Sequence, residues 1–203
     1  MCHSNMGPNE LIVVSVHRAL GFADADMTYR LPRENMPKIT PEDYICKDTQ
    51  RTHNQTAGSP RLLARANDTV RLMYQENGHV TKLDPDHPSS GETMIFGLLN
   101  SSENDRLLTF VSSTPTYAVR HLGTFDDGYC FENNGSPIAI ERSKVQERQR
   151  LDIEEPNVWC GQDILLPPTL QAGEIYTLYW VWNFNRLQTA EVYTTCIDID
   201  IVI

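Results

Sequence analysis

The chain closes on Ala190-Glu191-Val192-Tyr193-Thr194-Thr195-Cys196-Ile197-Asp198-Ile199-Asp200-Ile201-Val202-Ile203, and no other segment constrains the fold as tightly. β-Branched residues recur in near alternation. From Ile197 onward apolar residues alternate with Asp198 and Asp200, the pattern of a half-buried strand. Strand side chains repeat every two residues, so Glu191, Tyr193 and Thr195 share one face. A cysteine, Cys196, follows Tyr193 by three positions. Two readings stand side by side: an ordinary closing strand with a structural disulfide, or a Glu–Tyr functional pair on a rigid strand.

Further strand-length runs cover residues 11–16, 70–74, 94–99, 107–112, 175–184 and 192–203. Turn-rich stretches such as Asp84-Pro85-Asp86-His87-Pro88 and Asp126-Asp127-Gly128 separate them. Helical signals are scarce. Many short strands with Gly, Pro, Asn and Asp breaks predict an all-β fold, an immunoglobulin/fibronectin-III-like antiparallel β-sandwich with long loops. A chain of 203 residues sustains one sizeable core, so residues 1–203 are read as a single domain. The basic stretch 142–150 reads as a solvated loop or a short helix. In the run 176–184, Tyr176, Leu178, Trp180, Trp182 and Phe184 fall on one face. Core packing is the first reading of that face, and a carbohydrate-stacking platform is the second.

A net charge of −10 without clustered Lys and Arg predicts no nucleic-acid partner. No apolar run approaches the roughly 18 residues of a membrane helix. Met1-Cys2-His3-Ser4-Asn5 has neither a basic region nor a long apolar one, so the chain as written carries no signal peptide. Other signals point outward. The five cysteines, Cys2, Cys46, Cys130, Cys160 and Cys196, contain no C-x-x-C pair. Four widely spaced cysteines and one stray suit two disulfides in an oxidising compartment. N-x-[ST] sequons stand at Asn54, Asn67, Asn100 and Asn134. Asn54, Asn67 and Asn100 are the candidate glycosylation sites, because Pro137 follows the fourth sequon.

The six histidines show neither HExxH nor HxH spacing, so any metal site must be assembled from distant segments. His79 has the most suggestive setting. In Tyr74-Gln75-Glu76-Asn77-Gly78-His79-Val80-Thr81 a strand ends, Asn-Gly turns the chain, and an imidazole follows. An ordinary exposed turn histidine is the first reading of this segment, and a ligand held by a rigid scaffold is the second. His53 and His87 lie in polar loops and are poorer candidates. There is no G-x-S-x-G elbow and no Gly-rich phosphate loop. Carboxylates are plentiful, but no pair is marked out as a glycosidase dyad.

Taken together, Glu191-x-Tyr193-x-x-Cys196, the strand entry Gly173-Glu174-x-Tyr176 and the Gly78-His79 turn resemble the fungal lytic polysaccharide monooxygenases. A closer resemblance is to a family of secreted fungal proteins of similar layout, without an assigned reaction. It runs from about Arg18 to the end, through Gly21-Phe22-Ala23-Asp24, Cys46-Lys47-Asp48-Thr49-Gln50-Arg51, the 76–81 segment, Phe125-Asp126-Asp127-Gly128-Tyr129-Cys130, Ser136-Pro137-Ile138, Trp159-Cys160, the 176–182 run and Tyr193-Thr194-Thr195-Cys196-Ile197-Asp198.

The resemblance implies a histidine brace: one copper ion held by the amine and imidazole of an N-terminal His and by a second imidazole. His79 matches the second histidine, Tyr193 the weak axial position and Glu191 the outer residue that orients bound oxygen species, which makes Glu191 and Tyr193 the catalytic candidates. His3 is the one histidine near the start, but the expected Trp and strand do not follow it. Residues 1–15 are therefore read as atypical and truncated, with Cys2 as the stray cysteine. The resemblance further implies the disulfides Cys46–Cys196 and Cys130–Cys160, an extracellular monomer, and a polysaccharide or cell-wall glycan as partner. The expected function is copper-dependent oxidative cleavage of a polysaccharide. The alternatives are a non-catalytic copper- or glycan-binding protein, and a metal-free structural form.

Overall fold

A computed structural model describes residues 11–15, 29–34, 36–54, 60–83, 89–111, 119–148, 157–184 and 191–203. Among the described residues nine strands run in chain order: β1 Leu11–Ser15, β2 Arg30–Leu31, β3 Leu62–Ala64, β4 Thr69–Tyr74, β5 Glu92–Leu98, β6 Val119–Thr124, β7 Cys160–Leu165, β8 Ile175–Asn183 and β9 Val192–Ile201. The described residues also hold two α-helices, α1 Leu107–Val111 and α2 Pro137–Arg148, and a short 3-10 turn at Asp48–Gln50. One sheet has the order β1-β4-β7, and the other has β2-β9-β8-β5-β6 with β3 added beside β9. The result is an all-β, sandwich-like fold. Its pairings are antiparallel except for β1 with β4 and β3 with β9.

The aromatic run explains the layering. Tyr176, Leu178, Trp180 and Trp182 of β8 meet Val70, Leu72 and Tyr74 of β4 and Ile164 of β7 in the core between the sheets. The alternate β8 residues Tyr179 and Val181 face the other way. They pack with Leu31, Ile45, Phe96, Leu98, Leu107, Phe110 and Val192 in a second core. The strand is thus buried on both faces, so its aromatic side is core, and the carbohydrate-platform reading is set aside for it. Gly97 on β5 makes room for this packing, since a Cβ there would lie 2.0 Å from the Tyr176 hydroxyl.

Both implied disulfides are present. Cys46–Cys196 spans 150 residues and ties the segment before residue 50 to β9, while Cys130–Cys160 spans 30 and anchors the chain before α2 to β7. In the chain-entropy model closures of that size stabilise by about 5 and about 4 kcal/mol.

One expectation needs correction. Residues 107–112 were expected as a strand, but Leu107–Val111 is helical. A short, mostly apolar run such as this has too few residues for its period to separate strand from helix. Tertiary packing decides, because helical spacing sets Leu107 and Phe110 together into the second core, where Phe110 meets Tyr179 edge-on at 5.1 Å. The described part of the basic stretch, residues 142–148, takes the short-helix alternative and lies in α2, which begins with Pro137 as its first residue and with Ser136 Oγ accepting the Ala139 N–H at 3.2 Å. Arg142 is not solvated: its guanidinium grips both Asp126 oxygens at 2.8 and 2.7 Å and the Cys130 carbonyl at 2.6 Å.

Because Leu178 is fully buried at the centre of β8, Leu178→Ala is expected to destabilise the fold by about 3 kcal/mol, read from the shift in urea midpoint at unchanged m-value.

Candidate metal site at the end of the aromatic row

His79 is presented by a tight turn. Asn77 and Gly78 have φ of 45° and 81°, and the His79 N–H donates to the Glu76 carbonyl at 2.8 Å. Two consecutive positive φ values define a type I′ turn, which Asn-Gly accommodates at little steric cost. The turn is fixed from beneath by Glu76, whose residue is only 1% exposed. One of its oxygens accepts the Val80 and Thr81 N–H groups at 2.8 and 3.3 Å, and the other accepts the Glu132 N–H at 3.0 Å and the Thr81 hydroxyl. Asn134 Nδ2 donates to that hydroxyl at 2.7 Å. The sequence reading did not single out Glu76, although an acid directly before the Asn-Gly turn was the available signal.

The ring of His79 stands edge-on to Trp182 at 5.0 Å and to Phe184 at 4.6 Å. Trp182 lies opposite Tyr193 in the β8–β9 ladder, and their rings stack at 4.9 Å. Its other contacts, stacking on Phe125 at 4.0 Å and an indole N–H bond to the Ser90 carbonyl at 2.7 Å, leave it little freedom. The Tyr193 hydroxyl donates to Glu191, which is also 3.6 Å from the Arg30 guanidinium. Arg30 is Tyr193's partner across the β2–β9 pairing. The structure therefore brings His79, Tyr193 and Glu191 to one end of the aromatic row, with Arg30 as a fourth member that the sequence reading missed. The shared face of Glu191 and Tyr193 matches the alternation read from the sequence.

The electrostatics suit a ligand rather than a charged surface group. Burial lowers the His79 pKa below its ordinary value, and the negative charges of Glu191 and Glu76 offset part of that fall. The imidazole is thus held in the neutral form, the one that binds metals. Tyr193 is pushed up to about 12, by burial first and then by the hydrogen bond and charge of Glu191. It remains a phenol whose hydrogen points to Glu191, while a hydrogen bond from Arg30 and its charge pull the other way.

The remaining candidates lie elsewhere. His3, His17 and His87 fall outside the described residues. His53, set aside as a loop histidine, is instead bonded to Asp198 at 2.8 Å. Asp127, Cys130 and Cys160 form a metal-like cluster, but the two sulfurs are joined to each other and offer no thiolate. The sequon residues Asn54, Asn67 and Asn100 are exposed, whereas Asn134 is half-buried and bonded to Thr81. No helix among the described residues is long and apolar enough to cross a membrane. The two disulfides are compatible with an extracellular protein.

Over residues 12–203 the chain matches a family described as a domain of unknown function (DUF7492). No curated protein and no solved structure shows significant similarity to it.

Glu76→Ala is expected to cost about 2–4 kcal/mol, because it strands the buried Val80, Thr81 and Glu132 donors; thermal or urea unfolding measures it. NMR titration of the histidine ring protons should place His79 below the ordinary imidazole value, and Glu191→Gln should lower it further by removing a charge that favours protonation. Between its folded value and 6.5 the unfolded chain binds more protons. The His79 contribution to stability is thus fully present above about pH 6.5 and is lost as pH falls through that window.

Proposed function

Because the chain belongs to the DUF7492 family, whose description assigns no activity, we propose its function from the site itself: a secreted copper-binding protein that acts oxidatively on a polysaccharide. The observation that carries this reading is the convergence of His79, Tyr193 and Glu191 on the Trp182 end of the aromatic row. A neutral imidazole with a phenol and a carboxylate beside it is a nitrogen-and-oxygen donor set that fits Cu(II).

His79 is the copper ligand, with its ring orientation set by Trp182 and Phe184 and its backbone by Glu76. A histidine at a mature N-terminus would supply the second imidazole and the amine; His3 would fill that role once proteolysis after Cys2 freed its amine. Tyr193 offers a protonated phenol oxygen, a weak ligand, because its hydrogen is committed to Glu191. Glu191, held by Arg30, accepts that hydrogen and orients polar groups beside the copper. When bound, the copper supplies the oxidising capacity that attacks a C–H bond of the sugar chain, with oxygen and an external reductant as co-reactants. The exposed sequons at Asn54, Asn67 and Asn100 and the two disulfides fit a secreted, oxidising setting.

A non-catalytic copper- or glycan-holding role is the second reading. It is favoured by the fact that the described residues bring a single imidazole to the site.

Calorimetric copper titration is the test of the ligand. His79→Ala is expected to weaken binding by roughly 100-fold or more, and an unchanged affinity would make the assignment wrong. Mass spectrometry of products from cellulose, chitin and xylan, with ascorbate as reductant, then separates the two readings. Oxidised oligosaccharides support cleavage, and bound copper without them supports the holding role.

A further inference from the structure

Away from the copper-site candidates, a second constellation forms where the loop holding His53, the loop after β5 and the β8–β9 pair meet. Asp198 on β9 lies opposite Thr177 on β8. One Asp198 oxygen accepts the Thr177 hydroxyl at 2.7 Å, and the other contacts His53 Nδ1 at 2.8 Å. The second ring nitrogen of His53, Nε2, faces Ser101 Oγ at 3.3 Å. Ser101, His53 and Asp198 therefore stand in the order and atom pairing of a nucleophile, a base and an orienting carboxylate. That arrangement is recognised by geometry and recurs on unrelated folds, with or without a nucleophile elbow.

The base is held rather than loosely placed. Arg61 donates through Nη2 to the His53 backbone carbonyl and through Nη1 to Asp200 at 3.2 Å, and its Nε lies 3.8 Å from Asp198. The Asp198 side chain is only 11% exposed, while that of His53 is 43% exposed. The orienting carboxylate is thus shielded and the base reachable from solvent. Because the carboxylate accepts only, His53 Nδ1 carries the hydrogen of that bond, which leaves Nε2 free to take a proton from Ser101.

Ser101 Oγ also lies 2.7 Å from Thr177 Oγ1. Thr177 gives its one hydrogen to Asp198, so at rest Ser101 points its hydrogen at Thr177. Rotation of the Ser101 hydroxyl turns that hydrogen toward Nε2.

We propose that Ser101, His53 and Asp198 form a nucleophilic site that hydrolyses small, activated carboxylic esters. Ser101 Oγ forms a bond to the ester carbonyl carbon as its proton passes to His53 Nε2. The ester C–O bond breaks, and the alcohol leaves with that proton. Water then attacks the acyl-serine, giving its proton to His53, and the acid is released as Ser101 recovers its hydrogen. Asp198 is a positioning residue, fixing the tautomer and orientation of the ring. The open, half-exposed setting favours esters with good leaving groups over peptide amides, because solvent screens the developing charge.

The test uses the full chain, freed of metal with EDTA, with p-nitrophenyl acetate as substrate and a fluorophosphonate as trap. The expected result is nitrophenolate release, a single phosphonyl adduct mapped by mass spectrometry to Ser101, and loss of both by roughly 100-fold or more in Ser101→Ala and His53→Ala. Ser101→Ala keeps the Asn100-x-Ser102 sequon, so any glycan there is unchanged. Asp198→Asn should retain Ser101 but lower the rate and alter its pH profile, which a merely structural carboxylate would not do. The proposal is overturned if the adduct maps elsewhere, if the wild-type chain gives no adduct, or if Ser101→Ala keeps the wild-type rate.

Discussion

The pairing of β8 with β9 is the interaction on which the rest of the molecule depends. β8 is buried on both faces, one set of side chains closing the core between the sheets and the other closing the core beneath α1. Burial of this kind fixes register, since a slip of one residue would exchange the two faces and place Thr177 where Leu178 packs. With the register set, Trp182 meets Tyr193 at one end and Thr177 meets Asp198 at the other. Both candidate sites are consequences of that single ladder, one at each end of it.

The two ends differ in how they are held. At the Trp182 end the neighbours are aromatic rings and a buried carboxylate, so burial governs the chemistry: His79 is kept neutral and Tyr193 stays a phenol. At the Asp198 end the contacts are hydrogen bonds and ion pairs among partly exposed groups. A metal ligand and a proton-accepting base ask for these different surroundings, and one strand pair supplies both.

The long strands were legible because their patterns are unambiguous. Alternation marked β9, and an aromatic run too apolar for a surface marked β8. Residues 107–112 failed because a short apolar stretch reads equally as strand or helix until its packing partner is known. β6 and β7 escaped because Arg120, His121, Gly161, Gln162 and Asp163 dilute their apolar residues. The disulfide pairs came from family resemblance rather than from spacing, and both are found. His79, Tyr193 and Glu191 were legible as individuals, since each sits in a characteristic local motif. Arg30 and Glu76 were not, because their roles arise from partners that only the fold supplies. The same holds for Ser101, His53 and Asp198: the histidine contacts are 48 and 145 residues distant in sequence, and no local pattern announces them.

The proposed copper site beside His79 depends on the β8–β9 register. Anomalous diffraction at the copper edge from copper-soaked crystals addresses it most directly. One strong peak is expected at the His79 imidazole, on the side of Tyr193 and Glu191. A peak at His53 or His121 with none at His79 would contradict it.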